Sequence, residues 1–250
     1  MQFQILKAFL AATAINAVNA LPTTPRDIVA PTSNDELIAK LKTDATAAKR
    51  YQRLLTTDGE SLLPDAELRK AAVFDFNQDM QPIGGSNGGG IVTSSIENFP
   101  YLVESGLNVN FATIGPCGVL APHVHPRSNE YLVVVDGEIV VGTQLELGVL
   151  GNGAPVPEFR ETLGKLQGTL FPQGSIHYQV NNSPDCKKAT FMTVFASEDP
   201  GATPVLIQGR TVSVNGTVKI ERDDLGGLRG LLPDHIVEIV DQCVERCGGK

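Results

Sequence analysis

The stretch Pro122-His123-Val124-His125-Pro126-Arg127-Ser128-Asn129-Glu130 holds two of the chain's four histidines, one residue apart, and ends in a carboxylate. On a β-strand, residues i and i+2 project from the same face, so His123 and His125 point together. Pro126 to Asn129 read as a turn, and Glu130 then opens the next strand with its side chain aimed at the same region. A third histidine, His177, lies 47 residues beyond Glu130, inside Phe171-Pro-Gln-Gly-Ser-Ile-His177-Tyr-Gln-Val-Asn181. A lone histidine is ordinarily a satisfied polar residue. Here three of four fall in two spaced motifs, which favours a shared ligand. Imidazoles entering an apolar interior unpaired are costly, and a metal ion relieves that cost. Three neutral imidazoles and one carboxylate form a mixed nitrogen and oxygen donor set. Four protein ligands leave two positions open on an octahedral ion, which suits Mn2+, or alternatively Fe2+, better than a closed tetrahedral zinc site. The predicted metal ligands are therefore His123, His125, Glu130 and His177. Thiolates are not required, and His235 is assigned no role.

Around this stretch the chain is built of short β-branched or alternating runs at 91–94, 107–114, 131–135, 138–143, 169–171, 177–180, 189–196 and 211–220. Turn residues rather than helices separate them, which predicts an all-β sandwich or barrel. Upstream, "GGSNGGG" at Gly84 to Gly90 reads as a flexible connector. No Lys-Ser/Thr pair or helix follows it, so a phosphate loop is the weaker reading. Leu37, Leu41, Ala45, Ala48 and Leu55 recur at helical spacing, predicting one amphipathic helix from Asn34 to about Leu55 with Ser33 or Asn34 as its cap. Downstream, Ile236, Val237, Ile239, Val240, Cys243 and Val244 form an apolar stripe behind Pro233-Asp234, ended by Gly248. That stripe needs cover from its own barrel or from a neighbouring subunit, and the subunit contact is the favoured expectation.

The first residues read as an address. Lys7 precedes an apolar run from Ala8 to Val18, and Val18-Asn19-Ala20 is a small-x-small cleavage site. The run is too short to span a bilayer. The expected organisation is a secretory signal over 1–20, an N-terminal tail and helical extension over 21–83, a barrel over 84–221 and a C-terminal helical segment over 222–250. The protein is thus expected to be secreted, extracellular or associated with a cell wall. Without Lys7 the chain carries 19 basic against 28 acidic residues, a net charge of −9. That excludes the basic stripe of a nucleic-acid binder and disfavours anionic lipid.

Four cysteines in a secreted chain invite disulfides, and three pairings are possible. Cys243 and Cys247 share a helical face but need a distorted turn to bridge, while Cys117 and Cys186 flank the two histidine motifs and can pair across a sheet. Sequons stand at Asn215-Gly216-Thr217 and Asn181-Asn182-Ser183. The first suits a glycosylated turn; the second is disfavoured by Pro184 and by its place in the second motif.

The run from Gly118 through His123, His125 and Glu130 to Gly137 resembles the first motif of the cupins, in the form found in germins and spherulins. Pro172 to Asn181 resembles the second motif, and the similarity extends from about Ile91 to Gly201. The resemblance implies a single jelly-roll barrel with an N-terminal helix and C-terminal helices. It also implies His123, His125, Glu130 and His177 as ligands, most often to manganese, and homo-oligomers, commonly hexamers in which C-terminal helices clasp neighbours. Two glycines of the pattern are replaced, by Cys117 in the first motif and Leu166 in the second, and the germin N-terminal cysteine pair is absent.

Plant oxalate oxidases of this family place two asparagines near the metal. One aligns with Asn110, but the other position is Leu120, whose apolar side chain cannot donate to a carboxylate. Asn110 and Gln179 are the candidates for orienting a ligand or water. The expected partner is a small carboxylate or a dioxygen species at a redox-active metal. The alternatives are a structural or storage protein of a wall, spore or cyst, and a binding module for a small acid or sugar.

Overall fold

The computed structural model describes residues 34–151, 153–205, 213–214, 217–218 and 232–248. The expected signal peptide, the N-terminal tail up to residue 33, and Asn215 and Gly216 of the first sequon lie outside them. Three short helices come first: α1 (Asp35–Thr43), α2 (Ala47–Leu55) and α3 (Asp65–Ala72). The single helix expected over 34–55 is broken. Thr46 is extended and its hydroxyl accepts from Lys49 N at 3.3 Å, so a fresh N-cap restarts the chain as α2. Asn34 does not cap α1 through its side chain. Its Nδ2 instead donates to Glu97 O at 2.7 Å, tying the helix to the strands that follow. A run of packed rings, Tyr51–Tyr101–Phe99–Phe74–Phe76–Phe111, carries this contact on to the β-sheet.

Thirteen strands are present among the described residues. They are β1 (Gln81–Pro82), β2 (Gly90–Ser94), β3 (Asn108–Ile114), β4 (Val119–Val124), β5 (Glu130–Asp136), β6 (Ile139–Gln144), β7 (Glu158–Leu163), β8 (Gly168–Phe171), β9 (His177–Val180), β10 (Ala189–Phe195), β11 (Thr203–Pro204), β12 (Ser213–Val214) and β13 (Thr217–Val218). Two antiparallel sheets form the barrel, one ordered β1-β2-β3-β10-β5-β8 and the other β11-β4-β9-β6-β7. The cupin jelly roll expected from the motifs is the observed fold. Ala112, Ile114, Leu132, Val134, Ile139, Val141, Phe171, Ala189 and Phe191 fill the space between the sheets. β7 escapes a sequence reading because five of its six residues face solvent at a sheet edge, so no apolar alternation marks it. Gly137, with φ +81°, makes the tight β5–β6 connection.

"GGSNGGG" is not a loose connector. Ser86 is fully buried, Gly85 O accepts from Val119 N at 2.8 Å, and Ser86 O accepts from Gly115 N at 2.7 Å. The backbones approach so closely that a Cβ on Gly118 would lie 2.3 Å from Ser86 O.

The C-terminal helix α4 (Asp234–Cys247) corrects a second expectation. Its apolar stripe covers its own barrel: Ile236 and Val240 pack on Val119, Val140, Tyr178 and Val180. That removes the stripe as a reason to expect a subunit contact. The cysteines pair as Cys117–Cys243 and Cys186–Cys247, neither of the pairings considered from sequence. The helix presents both of its cysteines to the barrel, where each meets a different partner. Among the described residues no helix is long and apolar enough to cross a membrane.

Candidate metal centre

Glu130 opens β5 and shares its inward face with Leu132 and Val134, which belong to the core. His177 opens β9 and stands opposite His123 in the β4–β9 pairing. Strict alternation along β4 would put Leu120 and His123 on opposite faces. The register shifts between these two residues, at a site that includes Pro122, which has no N–H to donate to the ladder. Leu120, His123 and His125 consequently line the same cavity.

The structure brings all four predicted ligands together, with one donor atom from each lying within 4.8 Å of the others. Glu130, His125 and His177 are buried and His123 is half-buried. His125 Nε2 and His177 Nε2 stand 2.9 and 3.1 Å from Glu130 Oε2.

Each imidazole is oriented by a backbone carbonyl. His123 Nδ1 bonds Ala121 O at 2.9 Å, His177 Nδ1 bonds Ser175 O at 2.9 Å, and His125 Nδ1 bonds Gly201 O. A carbonyl only accepts, so Nδ1 carries the hydrogen in all three rings and Nε2 of the neutral ring is a lone pair. Aromatic packing fixes the ring planes: Phe171 stacks on His177 at 4.4 Å, and Phe195 meets His125 edge-on at 4.6 Å.

Burial drives the His123 imidazole down to about 4, with the neighbouring His177 adding to the shift. Burial also opposes charge on His125, but the hydrogen bond and attraction from Glu130 outweigh it and hold that ring above its ordinary value. Burial alone would raise Glu130, yet His125 and His177 hold its carboxyl down at about 2. The centre is therefore a buried carboxylate oxygen met by two imidazole Nε2 atoms, and each of these contacts needs a positive charge, supplied by a proton on Nε2 or by a cation that takes its place. A divalent cation meets that demand, and the mixed donor set fits manganese or iron.

Asn110, on β3, and Gln179, on β9, both line the cavity together with His123, His125 and Glu130. Asn110 Oδ1 and Gln179 Oε1 are buried with no hydrogen-bond partner among the described residues. Sequence reasoning missed the Gly201 carbonyl that orients His125. The segment carrying it is held by Arg127, which donates to Asp199 O at 2.9 Å and to Asp199 Oδ1 at 2.6 Å. His235 stays outside the centre, 3.2 Å from Glu158 Oε2.

Residues 77–220 match the family described as Cupin. Spherulin-1A of Physarum polycephalum is 30% identical over 221 residues, covering 83% of this chain and 82% of that relative. Germin-like protein 8-12 of Oryza sativa subsp. japonica is 31% identical over 135 residues, covering 54% of this chain and 55% of the relative. A solved structure of oxalate oxidase in complex with the substrate analogue glycolate is 22% identical, covers 76% of this chain and 88% of that one, and superposes with a TM-score of 0.47.

Proposed function

We propose, on the premise that the chain belongs to the cupin family, that it is a secreted protein holding manganese, or iron in its place, at His123, His125, Glu130 and His177. The proposed activity is metal-dependent redox chemistry on a small carboxylate or on superoxide. One observation carries the reading: the three Nδ1 atoms are spent on backbone carbonyls, which turns Nε2 of His125 and His177 onto a buried carboxylate. When bound, the metal supplies a Lewis acid and a one-electron couple. Glu130 offsets one of its charges, the three rings fix its position, and Asn110 with Gln179 orients a ligand or water. Two disulfides support an oxidising, extracellular compartment.

Metal analysis of the purified protein tests the first half. One manganese or iron per chain is expected, lost in His177→Ala. Consumption of oxalate, other small carboxylates or superoxide above free-manganese controls tests the second half, and no turnover of any of them would sink the catalytic claim.

A non-catalytic role in a wall, spore or cyst keeps the same site. It is favoured by the placement of the ligands on both sheets, with Glu130 on β5 and the histidines on β4, on β9 and just past the end of β4. A metal there clamps the barrel shut. In that case His125→Ala lowers the melting temperature and removes no turnover. A small acid or sugar that raises the melting temperature without being consumed selects a binding module instead.

A further inference from the structure

The cavity lined by His123, His125 and Glu130 has a volume of about 460 Å³ and draws its walls from both sheets. That lies within the range of small-molecule sites, roughly 300–1,000 Å³. Ile83, Ile91, Ala112, Leu120, Phe191 and Phe195 make most of the wall. Among the described residues no lysine or arginine lines it, and the one carboxylate there is Glu130. A dianion entering this space has only the metal to compensate it, while Glu130 already places a negative charge there. Moving an uncompensated carboxylate against apolar walls is costly. A two-carbon acid would also leave most of the volume unfilled, forfeiting contact with the aromatic and aliphatic side chains.

Two amide oxygens set the remaining demand. Gln179 is 1% exposed, lies two residues beyond His177 on β9, and its Oε1 has no partner among the described residues. Asn110 Oδ1, buried on the β3 side of the same cavity, is equally unpartnered. Both are acceptors that a ligand hydroxyl would satisfy, and leaving them unmet is penalised.

We propose that the cavity takes a small 2-hydroxy monoacid with an apolar body, and that oxalate is not its ligand. The carboxylate supplies the metal-binding head, the hydroxyl donates to Gln179 or Asn110, and the body packs between Leu120, Phe191 and Phe195. This rests on the metal reading above and narrows its substrate class.

The test is calorimetric titration of the manganese-loaded full-length chain with mandelate, phenylacetate and oxalate, with metal content measured before and after. Mandelate is expected to bind about tenfold more tightly than phenylacetate, the worth of one satisfied buried acceptor, and more tightly still than oxalate. One of Gln179→Leu and Asn110→Leu, with metal content and melting temperature retained, should bring mandelate to the level of phenylacetate. Leu120→Asn should narrow the gap between mandelate and oxalate. Oxalate binding as tightly as mandelate to protein that keeps its metal overturns this inference alone. Equal binding of mandelate and phenylacetate overturns the hydroxyl assignment. A chain that takes up no metal overturns this inference together with the functional reading beneath it.

Discussion

Leu166 donates its backbone N–H to Val134 O at 2.8 Å while holding φ at +62°, in the left-handed region. This is the position where the cupin pattern has glycine, and the geometry gives the reason: the turn entering β8 needs a backbone that L-residues adopt at a cost. The side chain gains little in return, since Leu166 is 78% exposed. Cys117, the other replaced glycine, sits at φ +59° but is repaid by its bond to Cys243.

Leu166→Gly should therefore stabilise the protein by about 0.5–1 kcal/mol, the left-handed penalty less the added freedom of the unfolded chain. Urea melts with an unchanged slope check this. A midpoint that falls would refute the strain argument.

Gly142 on β6 faces Tyr178 on β9 across the pairing, and a Cβ there would lie 2.2 Å from the ring. Gly142→Ala should cost about 1–3 kcal/mol, as overpacking does. Gly151→Ala, where a Cβ meets nothing within 4 Å, should change stability by less than about 0.5 kcal/mol. Similar losses in both variants would mean that the ring yields easily.

Burial, and then the hydrogen bond to Glu158, hold the Tyr178 phenol well above the ordinary tyrosine range. Because the folded value is the higher one, the contribution is complete below the unfolded value of about 10 and is lost as pH rises past it. Absorbance at the phenolate band should place Tyr178 ionisation at the loss of the fold, as the step that Tyr178→Phe removes. Glu158→Gln should bring that step earlier. A Tyr178→Phe difference that falls well before unfolding would contradict this.

Manganese should raise the melting temperature in a concentration-dependent way, reaching about 2.7 kcal/mol at a hundredfold excess over its dissociation constant. Glu130→Gln keeps the shape of the side chain but removes the charge, so the same titration should give little or no shift. Scanning calorimetry at fixed pH reads both, and an equal shift in the variant would remove Glu130 from the ligand set.

Replacing Cys117 and Cys243 together by serine should cost about 2–5 kcal/mol, as loss of a disulfide closing a long loop does. The Cys186–Cys247 bond keeps the last turn of α4 attached. The Ile236 and Val240 contacts should then loosen, faster amide exchange along the first turns of α4 being the measurable sign.

Three of the four predicted ligands were legible in the sequence through two simple rules, and His177 through the second histidine motif. Period-two projection aligns His123 with His125, and a short turn returns Glu130 to the same face. Leu120 was placed near the metal by the resemblance and not by alternation, because the register shift that turns it into the cavity depends on how β4 pairs with β9. The apolar stripe of α4 was readable as a face needing cover; which surface supplies it depends on the exposed side of β4, β6 and β9, assembled from separated segments. The cysteine pairing depends on the same docking. The carbonyl of Gly201 carried no sequence signal at all, since any residue offers one.

The Cys117–Cys243 bond spans 126 positions of the chain. A protease that cuts once anywhere between residues 118 and 242 therefore leaves two pieces that still travel as one molecule. Only a reductant parts them, so electrophoresis without one would report an intact protein long after the backbone had been nicked.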